Sequence, residues 1–418
     1  MDINILKNLI YLLPDSYKLC LVGGAVRDLL LNREVNDLDC LLVCGDLHKL
    51  IDILEKNGIT VIKDGLPFLH IRFFFNGTEI EVSVPRKEAY RSDSRNPIVV
   101  HGTLLEEIMR RDFTINSLLL DLNKFFESKN LLKSIIDLSN GLQDIQKRVI
   151  RSNNNPEIML NEDPVRVLRA LRFASKYNFT IEVSLKNAIV NFDVNRFDIV
   201  SKERIRDEFI KCVNVNVNFF EYENLIKHFF GIDINSINNK EAVIEHINKA
   251  IQLSDTTDMK LVALFHDLGK FYTESWNNKQ SRFAYIGHER ISTDIAKRFL
   301  KEYKFTNKQQ KFVVQIVSEH MNIKFIKNRR QVKQIKYILK HKEYINSLVK
   351  FNAIDWLSKP VNWQQQMNTN QKQKTIEKIV STILNNVPDR DTRKNIAKKK
   401  GNYTDNLAIY IRDKIANN

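Results

Sequence analysis

The sequence predicts an α+β protein: a small head built on a mixed sheet, followed by an elongated, all-helical neck, body and tail. Two observations carry this. Up to about residue 125, apolar runs of strand length alternate with helix-periodic segments, separated by turn pairs such as Asp64-Gly65 and Asn76-Gly77. From about Asp144 onward the apolar spacing is helical almost throughout. Boundaries near 145 and 215 divide the chain into a head (1–145), a neck (146–215) and a body with tail (216–418).

Taken in order, "INILKNLIYLL" (3–13) is helix-periodic, and "KLCLVGG" (18–24) and "LDCLLVC" (38–44) read as buried strands. "LHKLIDILEKNG" (47–58) reads as a helix stopped by Gly58, and "ITVIK", "LHIRFFF" and "TEIEVSV" as further strands. Beyond them, "EDPVRVLRALRFASKY", "SKERIRDEFIKCV", "EAVIEHINKAIQL", "DMKLVALFHDLGKF" and "STDIAKRFLKEY" all carry helical spacing. With 418 residues there is enough chain for two or three domains with their own cores.

Composition narrows the partners. A chain 43% hydrophobic and 28% charged is not globally disordered. Its net charge of +15 favours a polyanion, nucleic acid before an acidic membrane surface, with inflation by Lys- and Asn-rich composition as the alternative. The four cysteines form no CxxC pair and no zinc spacing, which suits free thiols in a reducing compartment. No apolar run approaches ~18 residues, so the sequence reads as a soluble, cytoplasmic protein without a membrane segment.

The chemistry starts in "LVGGAVRDLLLNREVNDLDCLLV" (21–43). Asp37 and Asp39 are two apart at the mouth of an otherwise apolar strand, hence on one face and about 7 Å apart at Cα. Two such carboxylates suit divalent magnesium, which activates an attacking hydroxyl and neutralises a leaving phosphate. A lone DxD is as readily a turn or a cap. Gly23 and Gly24, however, follow one strand and open a helix, where bare backbone N–H groups admit a triphosphate. Arg27, one turn in, brings a fork of donors to the same phosphates.

"GGAVRD…DLD" resembles the head of the tRNA nucleotidyltransferase/poly(A) polymerase family, specifically the bacterial-type (class II) CCA-adding enzymes of the polymerase-β superfamily. The resemblance implies a polymerase-β-like nucleotidyltransferase head in which Asp37 and Asp39 bind catalytic magnesium. Glu81 is then the candidate third carboxylate, with an exposed strand glutamate as the alternative. "RRDFTINSLLL" (110–120) resembles the family's second motif, which implies Arg111 on the phosphates and Asp112 on the ribose hydroxyls, ahead of an apolar helix.

In the neck, Asp163, Arg166 and Arg169 recur at i, i+3 and i+6, opposite an apolar face of Val167, Leu168, Leu171 and Ala174. Arg172 falls only about 40° from Leu168 around the helix and reads as structural, held in a buried ion pair. Cytosine and adenine each present an amino donor beside a ring-nitrogen acceptor. A carboxylate beside a guanidinium matches that pattern and leaves groups unpaired against uracil or guanine. Asp163 with Arg166 is therefore expected to select CTP and ATP, and the family's EDxxR motif implies the same reading. Glu203, Arg204 and Glu208 in "SKERIRDEF" read as structural support.

In the body, "LFHDLGK" (264–270) carries the His-Asp pair of the HD phosphohydrolase superfamily. His266 and Asp267, with His246 upstream and Asp355 downstream, are candidate ligands for magnesium or a divalent transition metal. His288 and His320 stand where they complete or line that site. Two basic stretches, 324–344 (Lys324, Lys327, Arg329, Arg330, Lys333, Lys336) and 389–401 (ending in Lys398 to Lys400), suit an RNA backbone or a solvated helix face. The function expected is template-independent addition and repair of the 3′-terminal CCA of tRNA from CTP and ATP. A bacterial poly(A) polymerase, a CC- or A-adding enzyme, or an HD phosphohydrolase with an RNA-binding head are the alternatives.

Overall fold

The computed structural model describes residues 3–91, 94–323, 331–359, 363–399 and 401–416. Contacts divide the chain into two compact units, Met1–Arg204 and Ile205–Asn418.

The first unit is organised by a sheet. Its strands are β1 (Lys18–Val22), β2 (Leu38–Cys44), β3 (Val61–Ile62), β4 (His70–Phe75) and β5 (Thr78–Ser83). The chain continues into β6 (Arg86–Arg91), β7 (Ser94–His101), β8 (Leu119–Asp121) and β9 (Ile135–Ile136). Seven of these form one sheet in the order β3-β4-β5-β2-β1-β8-β9, while β6 and β7 pair as a separate hairpin. β2 runs parallel to β5 and antiparallel to β1, so the sheet is mixed, as expected. β2 and β1 lie at its centre and are apolar on both faces. Leu19, Leu21, Cys40 and Leu42 pack under the helices Ile5–Tyr11 and Leu47–Lys56, and Cys20, Val22 and Leu41 pack on the other side with Ile108 and Leu119. A strand buried on both faces has nowhere to put a charge except at its end, and Asp37 and Asp39 stand there.

Two sequence expectations change. "RRDFTINSLLL" does not lead into a helix: Thr114–Asn116 is a single 3₁₀ turn, and the run that follows is β8. β8 fits between β1 and β9 with Leu119 and Leu120 fully buried, and such a wholly apolar triplet carries no period to separate helix from strand. Asp163 is also not on the neck helix. One helix runs Pro156–Glu162 and the next Val165–Tyr177, with Asp163 extended between them at φ −143°, ψ 95°. Pro164 disfavours the helical conformation for the residue before it.

Among its described residues the second unit carries helices and one hairpin, Glu274–Asn277 with Arg282–Tyr285, which the helical spacing of the body did not announce. Its core is aromatic. Phe209 stacks on Phe219 at 4.9 Å, and Phe230, Phe265 and Phe299 meet in tilted and edge contacts. Among the described residues no helix is long and apolar enough to cross a membrane.

Candidate functional site

The first unit carries a cavity of about 540 Å³ at the acidic end of β2. The glycine turn forms one side. Gly23 has φ +73°, a conformation that favours glycine, and a Cβ there would lie 3.2 Å from Nη1 of Arg111. Asp37 and Asp39 line the same cavity, and parallel register sets Glu81 beside Asp39. Asp39 opens to solvent within the cavity but has protein on most sides. That partial desolvation, with the charges of Glu81 and Asp37, pushes its carboxyl up to about 6. Crowded carboxylates all offering oxygen fit a hard divalent cation, which typically binds through one or two carboxylates plus substrate phosphates. Among the described residues, three ligand atoms do not gather within 4.8 Å in the head.

From the turn, a continuous polar network crosses the cavity floor. Arg27 is buried, donates from Nε to Asp28 at 2.9 Å and from Nη1 to Asn116, and lies over the rings of Phe173 and Tyr177. Tyr177 donates its hydroxyl to the same Asp28 oxygen at 3.0 Å. Asn116 donates onward to Asp112 at 3.0 Å, and Asp112 receives Arg169 at 2.6–2.7 Å. These side chains tie the helix Val165–Tyr177 to the helix Gly24–Leu30 that follows the glycine turn. Burial would raise the Asp112 carboxyl, but Arg169, Asn116 and Arg166 more than offset it and hold it at about 2. A carboxylate depressed from 3.8 contributes stability above pH ~4 that is lost as pH falls toward 2, about 2 kcal/mol here. Asp112→Asn should therefore lose less stability than wild type between pH 5 and pH 2.5 in urea titrations. Parallel curves would remove Asp112 from the account.

At the neck end of the cavity, Asp163 accepts hydrogen bonds from Nη1 and Nη2 of Arg204, at 2.8 and 2.5 Å. Arg166 donates to the carbonyls of Arg110 (2.7 Å) and Met159 (3.1 Å) and to Glu162. Arg110 and Arg111 share the fully buried Glu107. All the nucleotide-binding candidates, Gly23, Gly24, Arg27, Arg111, Asp112, Asp163, Arg166 and Arg169, line this one cavity together with Asp37 and Asp39; Glu81 joins it only through Asp39. The lining holds eight cationic and five acidic side chains, a balance suited to a polyphosphate with its metal.

Two residues read as structural belong to the lining. Arg204 lies 41 positions from Asp163, and no local spacing announces the pair. Arg172 is half-buried in the cavity wall, 4.2 Å from the ring centre of Phe173, rather than enclosed in the core. Here a signal existed: Arg169, Arg172, Phe173 and Lys176 recur at i, i+3, i+4 and i+7, one helix face. Asn116, unassigned from sequence, is the hinge of the network.

The second unit holds a separate cluster. One ligand atom each from His246, His266, Asp267 and Asp355 lies within 4.8 Å of the others, and Asp267, His288 and His320 form a second such set. Asp267 is common to both. Each imidazole is oriented from behind. Nδ1 of His266, His288 and His320 lies 2.6–2.8 Å from the carbonyls of Ala263, Tyr285 and Val317, and Nδ1 of His246 lies 2.8 Å from the Ser358 hydroxyl. Bonding at Nδ1 leaves Nε2 as the lone-pair nitrogen, and all four Nε2 atoms face Asp267. Burial pushes His320 down to about 3 and also lowers His266, favouring the neutral ligating form. His246 resists burial and is raised by Asp267 and Asp355. Asp267, despite burial, is held well below the usual carboxylate range by His266 and Lys270, the latter at 2.5 Å. Gly269 makes this approach possible: a Cβ there would lie 2.1 Å from the carbonyl of His288. Imidazole and carboxylate donors in a buried pocket suit divalent transition metals.

A glycine turn, strand-end carboxylates and a cationic cavity make the first unit similar to a nucleotidyltransferase-type head, and the histidine cluster makes the second similar to an HD domain. Residues 19–151 match the poly A polymerase head domain family and residues 241–384 match the HD domain family. The chain is similar to the CCA-adding enzyme of Lactobacillus helveticus, 29% identical over 270 residues, 62% of this chain and 63% of that protein. It is 36% identical over 198 residues to the CCA-adding enzyme of Lactobacillus johnsonii, 47% of this chain and 46% of that protein. The aligned stretch thus spans less than two thirds of either relative. The fold matches the crystal structure of the Bacillus stearothermophilus CCA-adding enzyme in complex with CTP. The TM-score is 0.59 at 18% identity, covering 99% of this chain and 92% of that one.

Proposed function

We propose that this chain adds CTP and ATP, without a template, to the 3′ end of tRNA in the cytoplasm, building or repairing the terminal CCA. The observation that carries this is the single cavity in which strand-end carboxylates, a glycine turn and the Asp163/Arg166 region meet. Asp37 and Asp39 would hold Mg²⁺, with Glu81 beside Asp39; when bound, the ion supplies activation of the 3′-hydroxyl and neutralisation of phosphate charge. The glycine turn and Arg111 receive the triphosphate. Asp112, fixed by Arg169 and Asn116, faces the ribose. Asp163 accepts the exocyclic amino group of cytosine or adenine, held in place by Arg204, and the guanidinium of Arg166 supplies the donor to the ring nitrogen. The 3′-hydroxyl gives up its proton to solvent, its oxygen bonds to the α-phosphorus, the bond from that phosphorus to the oxygen bridging to the β-phosphate breaks, and pyrophosphate leaves.

The test is incorporation from each NTP separately onto tRNA lacking its last three nucleotides. Two C followed by one A is expected. Long A tails would support a poly(A) polymerase, and addition stopping at CC or confined to A a restricted enzyme.

The histidine orientation in the second unit favours an additional reading, an HD phosphohydrolase centre holding divalent transition metal at His246, His266, Asp267 and Asp355, with His288 and His320 completing a second position. Metal analysis of the purified protein should find up to two ions per chain. The His288→Ala/His320→Ala variant should lose one of them and His266→Ala the other. Metal content unaffected by either substitution would contradict the assignment.

A further inference from the structure

The two basic stretches of the body, far apart in sequence, meet at one cavity of about 680 Å³ within the second unit. Lys324, Lys327, Arg329, Arg330 and Lys400 lie outside the described residues; those that follow are described. The helices Gln331–Lys340, Arg390–Ala397 and Tyr403–Ala416 wall the cavity. Lys333, Lys336 and Lys340 stand at i, i+3 and i+7, hence on one helix face, and Lys342 and Arg393 bring the cations among the described lining residues to five, with no acid among them. Lys336 pairs with Asp405, just outside the lining, whereas Lys333, Lys340 and Lys342 make no ion pair among the described residues.

A solvated lysine face needs no recess, and this one has an apolar, aromatic wall. Leu339, Val387 and Leu407 form it together with two tyrosines. Tyr337 is buried, its hydroxyl tied to Glu319 at 3.1 Å and its ring packed 4.6 Å from that of His341. Tyr403 stands at the rim with 41% of its surface exposed. Small-ligand sites run about 300–1,000 Å³, and an exposed ring beside cations is what a nucleobase with its flanking phosphates requires.

We infer that this cavity receives one unstacked nucleotide of a folded RNA, its base against Tyr403 and the apolar wall and its phosphates among the lysines. The inference deepens the reading that tRNA is the partner. A base inside a duplex offers only its edge, so the occupant comes from a loop or an end. An acidic peptide would satisfy the charge but leave the aromatic wall unused.

The test titrates the full chain with a labelled tRNA transcript lacking its last three nucleotides and with a blunt RNA duplex of equal length. Tyr403→Ala should weaken tRNA binding about tenfold and leave duplex binding unchanged. Tyr403→Phe, which keeps the ring, should bind as wild type, and Lys340→Ala should reduce the salt slope on tRNA by about 1. No effect of Tyr403→Ala, an equal loss on both RNAs, or competition by polyglutamate as effective as by tRNA at matched charge would each overturn the inference, as would a wild type that binds neither RNA. CTP incorporation by the wild type on the same transcript separates the two readings. Incorporation without a Tyr403 effect rejects the cavity alone, and Tyr403-dependent binding without incorporation rejects the catalytic reading alone.

Discussion

Asp39→Ala should lower nucleotide incorporation by about three orders of magnitude while tRNA binding and folding persist. A metal-holding carboxylate is worth several kcal/mol of charge stabilisation in phosphoryl transfer, and each 1.36 kcal/mol is tenfold in rate. The fold explains why the loss is confined to chemistry. Asp39 lies at the open end of β2, beyond the packed stretch Cys40–Leu42, and its side chain makes no hydrogen bond or ion pair among the described residues. Its carboxyl is raised to about 6 by partial desolvation and by Glu81 and Asp37, so at neutral pH it is still ionised but its charge costs the folded chain more than the unfolded one. Removing that charge should leave the melting temperature equal or higher. Rapid-quench incorporation and thermal unfolding on the same preparation check both halves. A melting temperature lowered along with activity would mean that Asp39 is structural.

Asp163→Ala should produce the second largest effect, on selection rather than rate alone. A site built to hydrogen-bond one pattern of donor and acceptor rejects the inverse pattern because polar groups are left unpaired. Deleting the carboxylate should cost CTP and ATP about 10²-fold in kcat/KM and compress their preference over UTP by a similar factor. Arg204 holds the Asp163 carboxylate from both oxygens, so Arg204→Ala should move the same selectivity ratio in the same direction by a smaller amount. Single-turnover kinetics with each NTP measures both. Unchanged discrimination against UTP in Asp163→Ala would refute its role.

The parts of this protein that were readable from sequence are those whose chemistry is local. β1, the glycine turn and β2 occupy 18–44, and their apolar runs and charges lie within reach of one motif. The HD cluster was readable because its residue types are scarce: nine histidines in the chain, four of them facing Asp267. What depended on tertiary neighbours was not readable. β8 is a strand because β1 and β9 flank it, not because "LLL" prefers to be one. The Asp163–Arg204 pair joins residues 41 positions apart, and the Arg27–Asn116–Asp112–Arg169 network joins two helices, a 3₁₀ turn and the segment that precedes it. Pro164 could have been read: it places Asp163 off the helix, where its carboxylate is free to meet Arg204.

The central claim is that one cavity holds the triphosphate at the acidic end of β2 and the base at the start of the neck helix. A crystal structure of the protein soaked with CTP and magnesium measures this directly. The cytosine amino group should lie within hydrogen-bond distance of Asp163, with the α-phosphate beside Asp37 and Asp39 and the γ-phosphate toward Arg111. A base pointing away from the neck helix, or a triphosphate bound outside the cavity, would contradict it.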